Sequence, residues 1–340
     1  MRNALRRYGF TAVGVAVVVG ISGFALPRIA DYRDVIDVVS DLSGLEIVVL
    51  AVATLWNVFT FAPPWRAAMP GLSMWRALVM TQASTAAASS LPGGEAVGLG
   101  LGFGMLKTWG FRSGAIAAAV ALVTVMNTLA KVLLPAAALV GLLVTGRQGG
   151  LLGLLTVIGV GALGLLFGAA VMALRTDAST RVFAARLDVW RTRVPILRRR
   201  KVSGSLPDRL SRFRTETFGL LRRRWFPLLS WTLVGHLSVF VVLLVALRAV
   251  GVTGDEVDFV EAFAAWALTR LLTAIPITPG GLGIVELGLT GALVAAGGSN
   301  DNVVAAVLLY RLLTWLPPIV LGGVAALLWR RLHPVSGEDG

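Results

Sequence analysis

Long uninterrupted runs of apolar residues are the feature that most constrains how this chain folds. A helix needs about 20 apolar residues to cross the hydrocarbon core of a bilayer, and several runs approach or exceed that length. Only 14% of the 340 residues are charged, and the mean hydropathy is +0.80, whereas a soluble domain carries about 25% charged residues. The predicted apolar segments lie at 9–29, 45–62, 75–91, 95–106, 114–144, 151–174, 225–247, 259–275, 284–296 and 303–329.

These segments predict an all-α fold, a polytopic membrane helix bundle in which residues 1–340 form a single integral membrane domain. Cysteine is absent and only two histidines occur, so we expect neither a disulfide framework nor a Cys- or His-built metal centre. Patterns for a P-loop, a zinc protease or a Ser–His–Asp set are also missing. The glycine run at 98–104 follows no strand and is interpreted as close helix packing. We therefore expect no enzymatic activity, cofactor or metal.

Positive charge is concentrated in residues 175–224. This segment holds fifteen Lys or Arg against four acidic residues, whereas the whole chain has a net charge of +13. Loops rich in Lys and Arg stay cytoplasmic and attract anionic lipid headgroups, so we predict contact with the anionic leaflet surface rather than with nucleic acid. Apolar residues at helical spacing within the segment predict amphipathic helices on that surface. A homo-oligomer or a membrane partner is left open.

The other charged loops predict the orientation of the chain. Arg2, Arg6 and Arg7 precede an apolar run without a convincing cleavage site, which predicts an uncleaved first span with a cytoplasmic N-terminus. The acidic loop at 31–41 then lies outside, and Arg330 with Arg331 keeps the C-terminus inside. We expect a multi-pass protein of the cell (cytoplasmic) membrane with both termini cytoplasmic.

Two pairs of apolar segments are each interrupted by proline and glycine. The first pair surrounds LPGGE at 91–95, and the second surrounds PITPGGLGIVE at 276–286. Proline removes a backbone donor and glycine weakens a helix, so both segments should be discontinuous at membrane depth. The charge pattern places the pairs in inverted orientation, as in transporters whose broken helices build a midplane site. Each pair is either a re-entrant hairpin, which the short second segments favour, or two full crossings; alternatively, Pro and Gly only kink packed helices.

Ionisable side chains inside apolar segments are costly, which makes them candidate functional residues. Arginine and lysine suit a lipid phosphate, and carboxylates could neutralise these cations or carry protons. The alternative is that Glu286 with Arg311, or Glu95 with Lys131, pair only to enter the membrane safely. His236 is interpreted as a packing residue with satisfied hydrogen bonds. The predicted substrate-binding residues are Glu95, Lys131, Arg270, Glu286 and Arg311.

Three strings carry a resemblance to a known family: LPGGEAVGLGLGFGMLKTWGF at 91–111, IPITPGGLGIVELG at 275–288 and LLYRLLTWLPPIVLGG at 308–323. Over nearly the whole chain the sequence resembles the lysylphosphatidylglycerol synthetase transmembrane, flippase-like family. In bifunctional relatives an aminoacyltransferase domain follows this membrane part, and we expect that domain to be absent here. The matching motif residues are Pro92, Gly93, Gly94, Pro279, Gly280, Gly281 and Gly283, with Glu95, Glu286 and Arg311.

The sequence departs from the family pattern at two places. Many relatives have an arginine shortly after the first glutamate, where this chain has Val97 and Gly98. They often carry a Glu-Arg pair near position 123, and Asn127 and Lys131 are candidates to substitute for it. The resemblance therefore implies lipid translocation but leaves the lipid open.

The leading hypothesis is a flippase-like lipid translocase for an anionic or headgroup-modified phospholipid. Lys131, Arg270 and Arg311 would bind the headgroup phosphate in a midplane groove, with Glu95 and Glu286 as counter-ions or proton sites. One alternative is a non-transporting scaffold that recruits an envelope or lipid-synthesis partner through residues 175–224. Another is a protein that handles or modifies polyprenyl-phosphate lipids, and the shortage of acid–base groups disfavours an enzyme of that kind.

Overall fold

The computed structural model describes residues 40–90, 94–146, 206–272 and 283–332, with single positions at 37, 161, 164, 165 and 168. All regular structure within these residues is helical, as predicted. Several predicted features lie outside the described residues: the segment 9–29, nearly all of 151–174, the basic residues 175–205, and the motif residues Pro92, Gly93, Pro279, Gly280 and Gly281.

Nine helices are described within these ranges, and their bounds lie close to the predicted segments. They are α1 (Gly44–Thr60), α2 (Pro63–Ala68), α3 (Met74–Ser90), α4 (Gly94–Thr108), α5 (Ser113–Val144), α6 (Leu206–Ala249), α7 (Phe259–Leu272), α8 (Ile284–Ala295) and α9 (Asn300–Leu332). Four stretches are long and apolar enough to cross a membrane: Gly44–Ala68, Ser113–Val144, Leu221–Ala249 and Asn300–Trp329. The chain is therefore a multi-pass membrane helix bundle.

The start of α1 shows how local sequence sets a helix boundary. Glu46 accepts a hydrogen bond from the backbone N–H of Ser43 at 2.8 Å, and the Ser43 hydroxyl accepts one from the Glu46 backbone N–H at 3.3 Å. This reciprocal pair satisfies backbone donors that a helix start leaves open. The apolar run of α1 therefore begins at a capped residue, next to the acidic loop that precedes it.

The largest difference from the predicted segments is the length of α6. We predicted an apolar span at 225–247, whereas the helix begins at Leu206 and continues without interruption to Ala249. The basic residues from 206 onward are therefore helical, as their spacing predicted, and continuous with the span. Pro227 lies inside this helix, where it removes one backbone hydrogen bond near the junction of the basic and apolar parts.

Two apolar clusters occupy opposite ends of the long helices. In α5 the first cluster contains residues between Ile116 and Met126, and the second contains Leu134, Ala138 and Leu142. In α6 and α9 the same division appears along each helix, whereas α1 contributes only to the second cluster. The broken pair α3 and α4 packs in the first cluster, and the pair α7 and α8 packs in the second. Re-entrance and inverted orientation of the two pairs stay predictions.

A layer of polar side chains lies between the two clusters. On α1, Asn57 and Thr60 both contact the Ser238 hydroxyl of α6 at 2.9 Å. Asn127 and Lys131 of α5 follow the last residue of one cluster and precede the first residue of the other. Polar groups inside apolar helices are stable when they are hydrogen-bonded, so this layer sets the depth at which a polar site can exist.

Glycine allows the broken pair α3 and α4 to pack closely. A Cβ atom at Gly98 would collide with the backbone carbonyl oxygen of Ser84, and one at Gly102 would lie 2.8 Å from the Ser84 hydroxyl. A Cβ atom at Gly322 of α9 would likewise collide with the backbone carbonyl oxygen of Gln82 in α3. The glycine run is thus a helix-packing surface, as predicted.

Candidate functional site

Glu286 and Arg311 form an ion pair between α8 and α9. Arg311 Nε donates to Glu286 Oε1 at 2.5 Å, and the Glu286 side chain is 2% exposed. The second carboxylate oxygen accepts the backbone N–H of Gly283 at 2.6 Å. Gly283 has φ +85°, a conformation that suits glycine, and it allows the chain to turn so that Glu286 caps its own helix. The motif sequence thus fixes the carboxylate at the start of α8.

A hydrogen-bonded chain joins three helices through His236. Arg270 Nη2 lies 2.7 Å from His236 Nδ1, and His236 Nε2 lies 3.1 Å from Asn127 Oδ1. Because a guanidinium only donates, Nδ1 must accept, and the imidazole proton is therefore on Nε2. Asn127 Nδ2 then donates to the Val123 carbonyl at 2.9 Å. His236 is thus a neutral bridge between α7 and α5.

His236 was interpreted from sequence as a packing residue, and its burial and two hydrogen bonds agree with that. Its position between Arg270 and Asn127 was not predicted. These partners lie 34 and 109 residues away in sequence, and nothing local marks them. A lone polar residue on an apolar span indicated in the sequence that His236 needs hydrogen-bond partners. That pattern could not identify which residues they are.

Glu95 and Lys131 are the least constrained of the predicted site residues. Glu95 is exposed in the first turn of α4, and Lys131 is partly buried on α5. In the described part of the chain, neither side chain forms a hydrogen bond or an ion pair. The two are close enough for their charges to interact. The predicted Glu95–Lys131 pairing is therefore an interaction at a distance, unlike the contact of Glu286 with Arg311.

We call the five predicted residues the charged cluster (Glu95, Lys131, Arg270, Glu286 and Arg311); Glu286 and Arg311 are in direct contact, and the other members are linked by electrostatic interaction at a distance. Lys131 interacts electrostatically with Glu95 and Arg270, and Arg270 does so with Arg311. Arg270 also lies over the Trp266 ring, 5.6 Å from its centroid. Three cations and two carboxylates leave the cluster with an excess of one positive charge.

A cavity of about 390 Å³ adjoins the charged cluster, and we call it the Glu95 cavity. Glu95 and Asn127 contribute to its wall, so the hydrogen-bonded chain through His236 begins at the cavity surface. Its volume lies in the range of small-molecule sites. The hydroxyl side chains that line it are Thr60, Thr81, Ser84, Thr85, Thr124 and Thr232.

Several of these hydroxyls have already used their proton. Thr60 donates to the Asn57 carbonyl at 2.8 Å, Thr232 donates to the Leu228 carbonyl at 2.7 Å, and Thr81 donates to the Ala77 carbonyl. The oxygens of these groups can therefore only accept a further hydrogen bond. These oxygens and the Glu95 carboxylate are acceptors in the wall of a cavity whose surface is mostly apolar.

Among the described residues, no three His, Asp or Glu side chains are grouped so that they could hold a metal ion. Gly94 and Gly283 are the predicted motif residues that the structure describes. Gly94 lies against the carbonyls of Ala87 and Ala88 at the start of α4, whereas Gly283 provides the turn before α8.

One family model matches the sequence. It is described as the lysylphosphatidylglycerol synthase TM region, and it matches residues 11–322. The match includes every described helix except the last ten residues of α9. None of the curated proteins matches the sequence.

Proposed function

The chain belongs to the lysylphosphatidylglycerol synthase transmembrane family, and from that premise we propose that it is a flippase-like lipid translocase. The family and the apolar helices make it a multi-pass membrane protein with a lipid-related function. The proposed substrate is an anionic or headgroup-modified phospholipid of the cytoplasmic membrane. The proposal assigns no chemical reaction to the chain.

The observation that carries this proposal is the charged cluster inside apolar helices. Three cations within membrane-depth segments are costly to keep, and one of them, Lys131, has no hydrogen bond or ion pair among the described residues. A lipid phosphodiester carries one negative charge, which complements the excess charge of the cluster. Arginine binds phosphate with paired donors and lysine binds it as a point charge.

The Glu95 cavity supports a headgroup with its own donors. Its acceptor oxygens and carboxylate would bind glycerol hydroxyls or an ammonium, while the cations would hold the phosphate. His236 and Asn127 would join the two regions, because their hydrogen-bonded chain runs from Arg270 to the cavity wall. In this arrangement the polar layer lets a headgroup leave one leaflet without entering hydrocarbon.

The proposal is tested by lipid movement between leaflets in proteoliposomes. Fluorescent phosphatidylglycerol, its lysyl form and a polyprenyl-phosphate are offered separately to vesicles that contain the wild type, Arg311→Ala, the double variant Glu286→Gln/Arg311→Gln, or the control Arg112→Gln. Arg112 is exposed at the start of α5, outside the charged cluster. The double variant avoids leaving Glu286 buried without its partner.

We expect the wild type and Arg112→Gln to move at least one lipid faster than empty vesicles do. Both Arg311 variants should slow that movement by about tenfold or more, because a charge-assisted hydrogen bond contributes about 1.5–3 kcal/mol. If no offered lipid moves faster than in empty vesicles, the translocase proposal is wrong and the scaffold alternative gains weight. Equal rates in all variants would mean that lipid transport does not depend on Glu286 and Arg311 of the charged cluster.

A further inference from the structure

A second cavity, of about 640 Å³, adjoins the Glu95 cavity, and we call it the Arg66 cavity. Its walls come from the last turn of α2 with Arg66, from the loop at 70–73 that leads into α3, and from α6 with Arg224 and Pro227. Both arginines are exposed, so the cavity opens at the molecular surface. It lies at the end of the bundle where α2 ends and α3 begins.

The Arg66 cavity is positively charged. Within the described residues, no acidic side chain lines it, and neither Arg66 nor Arg224 forms an ion pair. Ser73 and Met74, at the start of α3, also line it, and the first backbone N–H groups of a helix favour anions. Two guanidinium groups without carboxylate partners can each bind phosphate oxygens through paired hydrogen bonds. The cavity therefore suits an anion with several oxygens.

One aromatic side chain, Trp231, lines both cavities. The short helix α2 forms the rest of the common wall, since Pro64 and Trp65 line the Glu95 cavity while Pro63 and Arg66 line the Arg66 cavity. The two cavities thus share a wall made of Trp231 and the short helix α2. A group held in the Arg66 cavity would contact Trp231 directly.

Exposed aromatic side chains follow Arg224 along α6. Trp225 is 53% exposed and Phe226 is 65% exposed, and both precede Pro227 at the edge of the Arg66 cavity. Tryptophan beside arginine is typical of the level at which lipid headgroups meet acyl chains. A phosphate with acyl chains attached would use both the guanidinium groups and this apolar surface, whereas inorganic phosphate would use only the guanidinium groups.

We propose that the Arg66 cavity is a separate binding site for the phosphate of a phospholipid headgroup, from which the headgroup reaches the Glu95 cavity by passing Trp231. The inference rests on the proposed function for its second step, the passage. Its first step, phosphate binding by Arg66 and Arg224, stands on the geometry of the cavity alone. Trp231 is the residue that separates the two sites and contacts a headgroup in either of them.

The test is an equilibrium titration of the purified full chain in detergent with phosphatidylglycerol that carries a nitroxide on its headgroup. The nitroxide quenches nearby tryptophan fluorescence, and the difference between the wild type and Trp231→Phe isolates the signal of Trp231. The test variant is Arg66→Gln/Arg224→Gln. The matched control is Arg222→Gln/Arg223→Gln, which removes the same charge from exposed positions of α6 that do not line the cavity.

We expect the wild type and the control to bind the lipid with similar affinity. The Arg66/Arg224 variant should bind it at least about tenfold more weakly. Equal affinity in the test and control variants would overturn the site. Unlabelled inorganic phosphate should not displace the lipid at equal concentration, because it lacks the apolar contacts; displacement would overturn the lipid assignment. The quenching should be smaller in Trp231→Phe, and unchanged quenching would overturn the role of Trp231.

Transport assays on the same variants separate this inference from the proposed function. If lipid crosses the bilayer and binding does not depend on Arg66 and Arg224, the site is wrong and the translocase proposal stands. If binding follows the expected pattern but no lipid crosses, the site stands as a lipid site and the translocase proposal is wrong.

Discussion

Lys131 occupies a position in α5 at which a charged side chain is costly. Its ammonium lies among apolar residues of α5 and, within the described part of the chain, has no hydrogen-bond or ion-pair partner. Arg270 adds a like charge nearby, and Glu95 offsets only part of it. Packing alone would favour an apolar residue at this position, and under the proposed function the substrate phosphate would offset this cost.

Replacing Lys131 with methionine should therefore stabilise the protein or leave its stability unchanged. The side chains have similar volume, and the substitution removes an unpaired charge from low-dielectric surroundings. Lipid movement should nevertheless fall by about tenfold or more. Thermal unfolding in detergent and transport in proteoliposomes measure the two effects on one preparation. A variant that unfolds at lower temperature would contradict the first expectation, and one that transports normally would remove Lys131 from the site.

The Glu286–Arg311 pair should behave in the opposite way. Arg311→Ala leaves a buried carboxylate without its partner, which costs about 3–5 kcal/mol of the free energy of unfolding. Glu286→Gln/Arg311→Gln should recover much of this loss, because neutral amides can bond to each other and to the Gly283 N–H. Comparison of Glu286→Gln, Arg311→Gln and the double variant by thermal unfolding gives the coupling. Additive effects would mean that the two residues do not stabilise each other.

At the residue scale, the sequence predicted the charged residues but not all of their contacts. Glu286 could be assigned to Arg311 because each stands alone in its apolar segment and both belong to motifs. The link from Arg270 through His236 to Asn127 could not be predicted, because hydrogen bonds between helices depend on rotation and register that no local pattern encodes. The position of Trp231 beside both cavities could likewise not be predicted, because it depends on how α2 packs against α6.

Elements in this bundle are positioned by particular glycines rather than by glycine content. Gly98 and Gly102 face α3, whereas Gly100 and Gly104 have open space where a Cβ atom would be. The spacing of four residues places the first two on one helix face. The sequence predicted the packing role of the run, but which glycines face the neighbouring helix depends on the rotation of α4 about its axis.

Alanine substitutions should separate these two classes of glycine. Gly98→Ala and Gly322→Ala force a methyl group against a backbone carbonyl and should destabilise the protein by about 1–3 kcal/mol. Their neighbours provide the controls: Gly100→Ala and Gly323→Ala have free space and should be neutral or stabilising by up to about 1 kcal/mol. The loss of the helical circular dichroism signal on heating gives the order of stability of the four variants. Equal effects at both members of a pair would mean that the close contact does not limit packing.

For the molecule as a whole, the two apolar clusters and the polar layer between them explain where a site can exist. Hydropathy predicted the order and bounds of the described spans, because each must be apolar over a bilayer thickness. It could not predict that the charged cluster and the Glu95 cavity lie at the junction of the two clusters. That placement arises from which helices contact each other, and it leaves a polar region enclosed by apolar ends.

The charge pattern predicts the orientation of the molecule, which can be measured directly because the chain contains no cysteine. Single cysteines at Asp41, Ser113 and Asp255 fall at exposed ends of the described helices. Since Lys- and Arg-rich loops stay cytoplasmic, a membrane-impermeant maleimide added to intact cells should label Asp41→Cys and Asp255→Cys, whereas Ser113→Cys should react only after the membrane is opened. Labelling of Ser113→Cys in intact cells would reverse the orientation and place the Arg66 cavity on the outer side. Labelling of Asp41→Cys but not Asp255→Cys would instead mean that an odd number of membrane crossings separates the two positions.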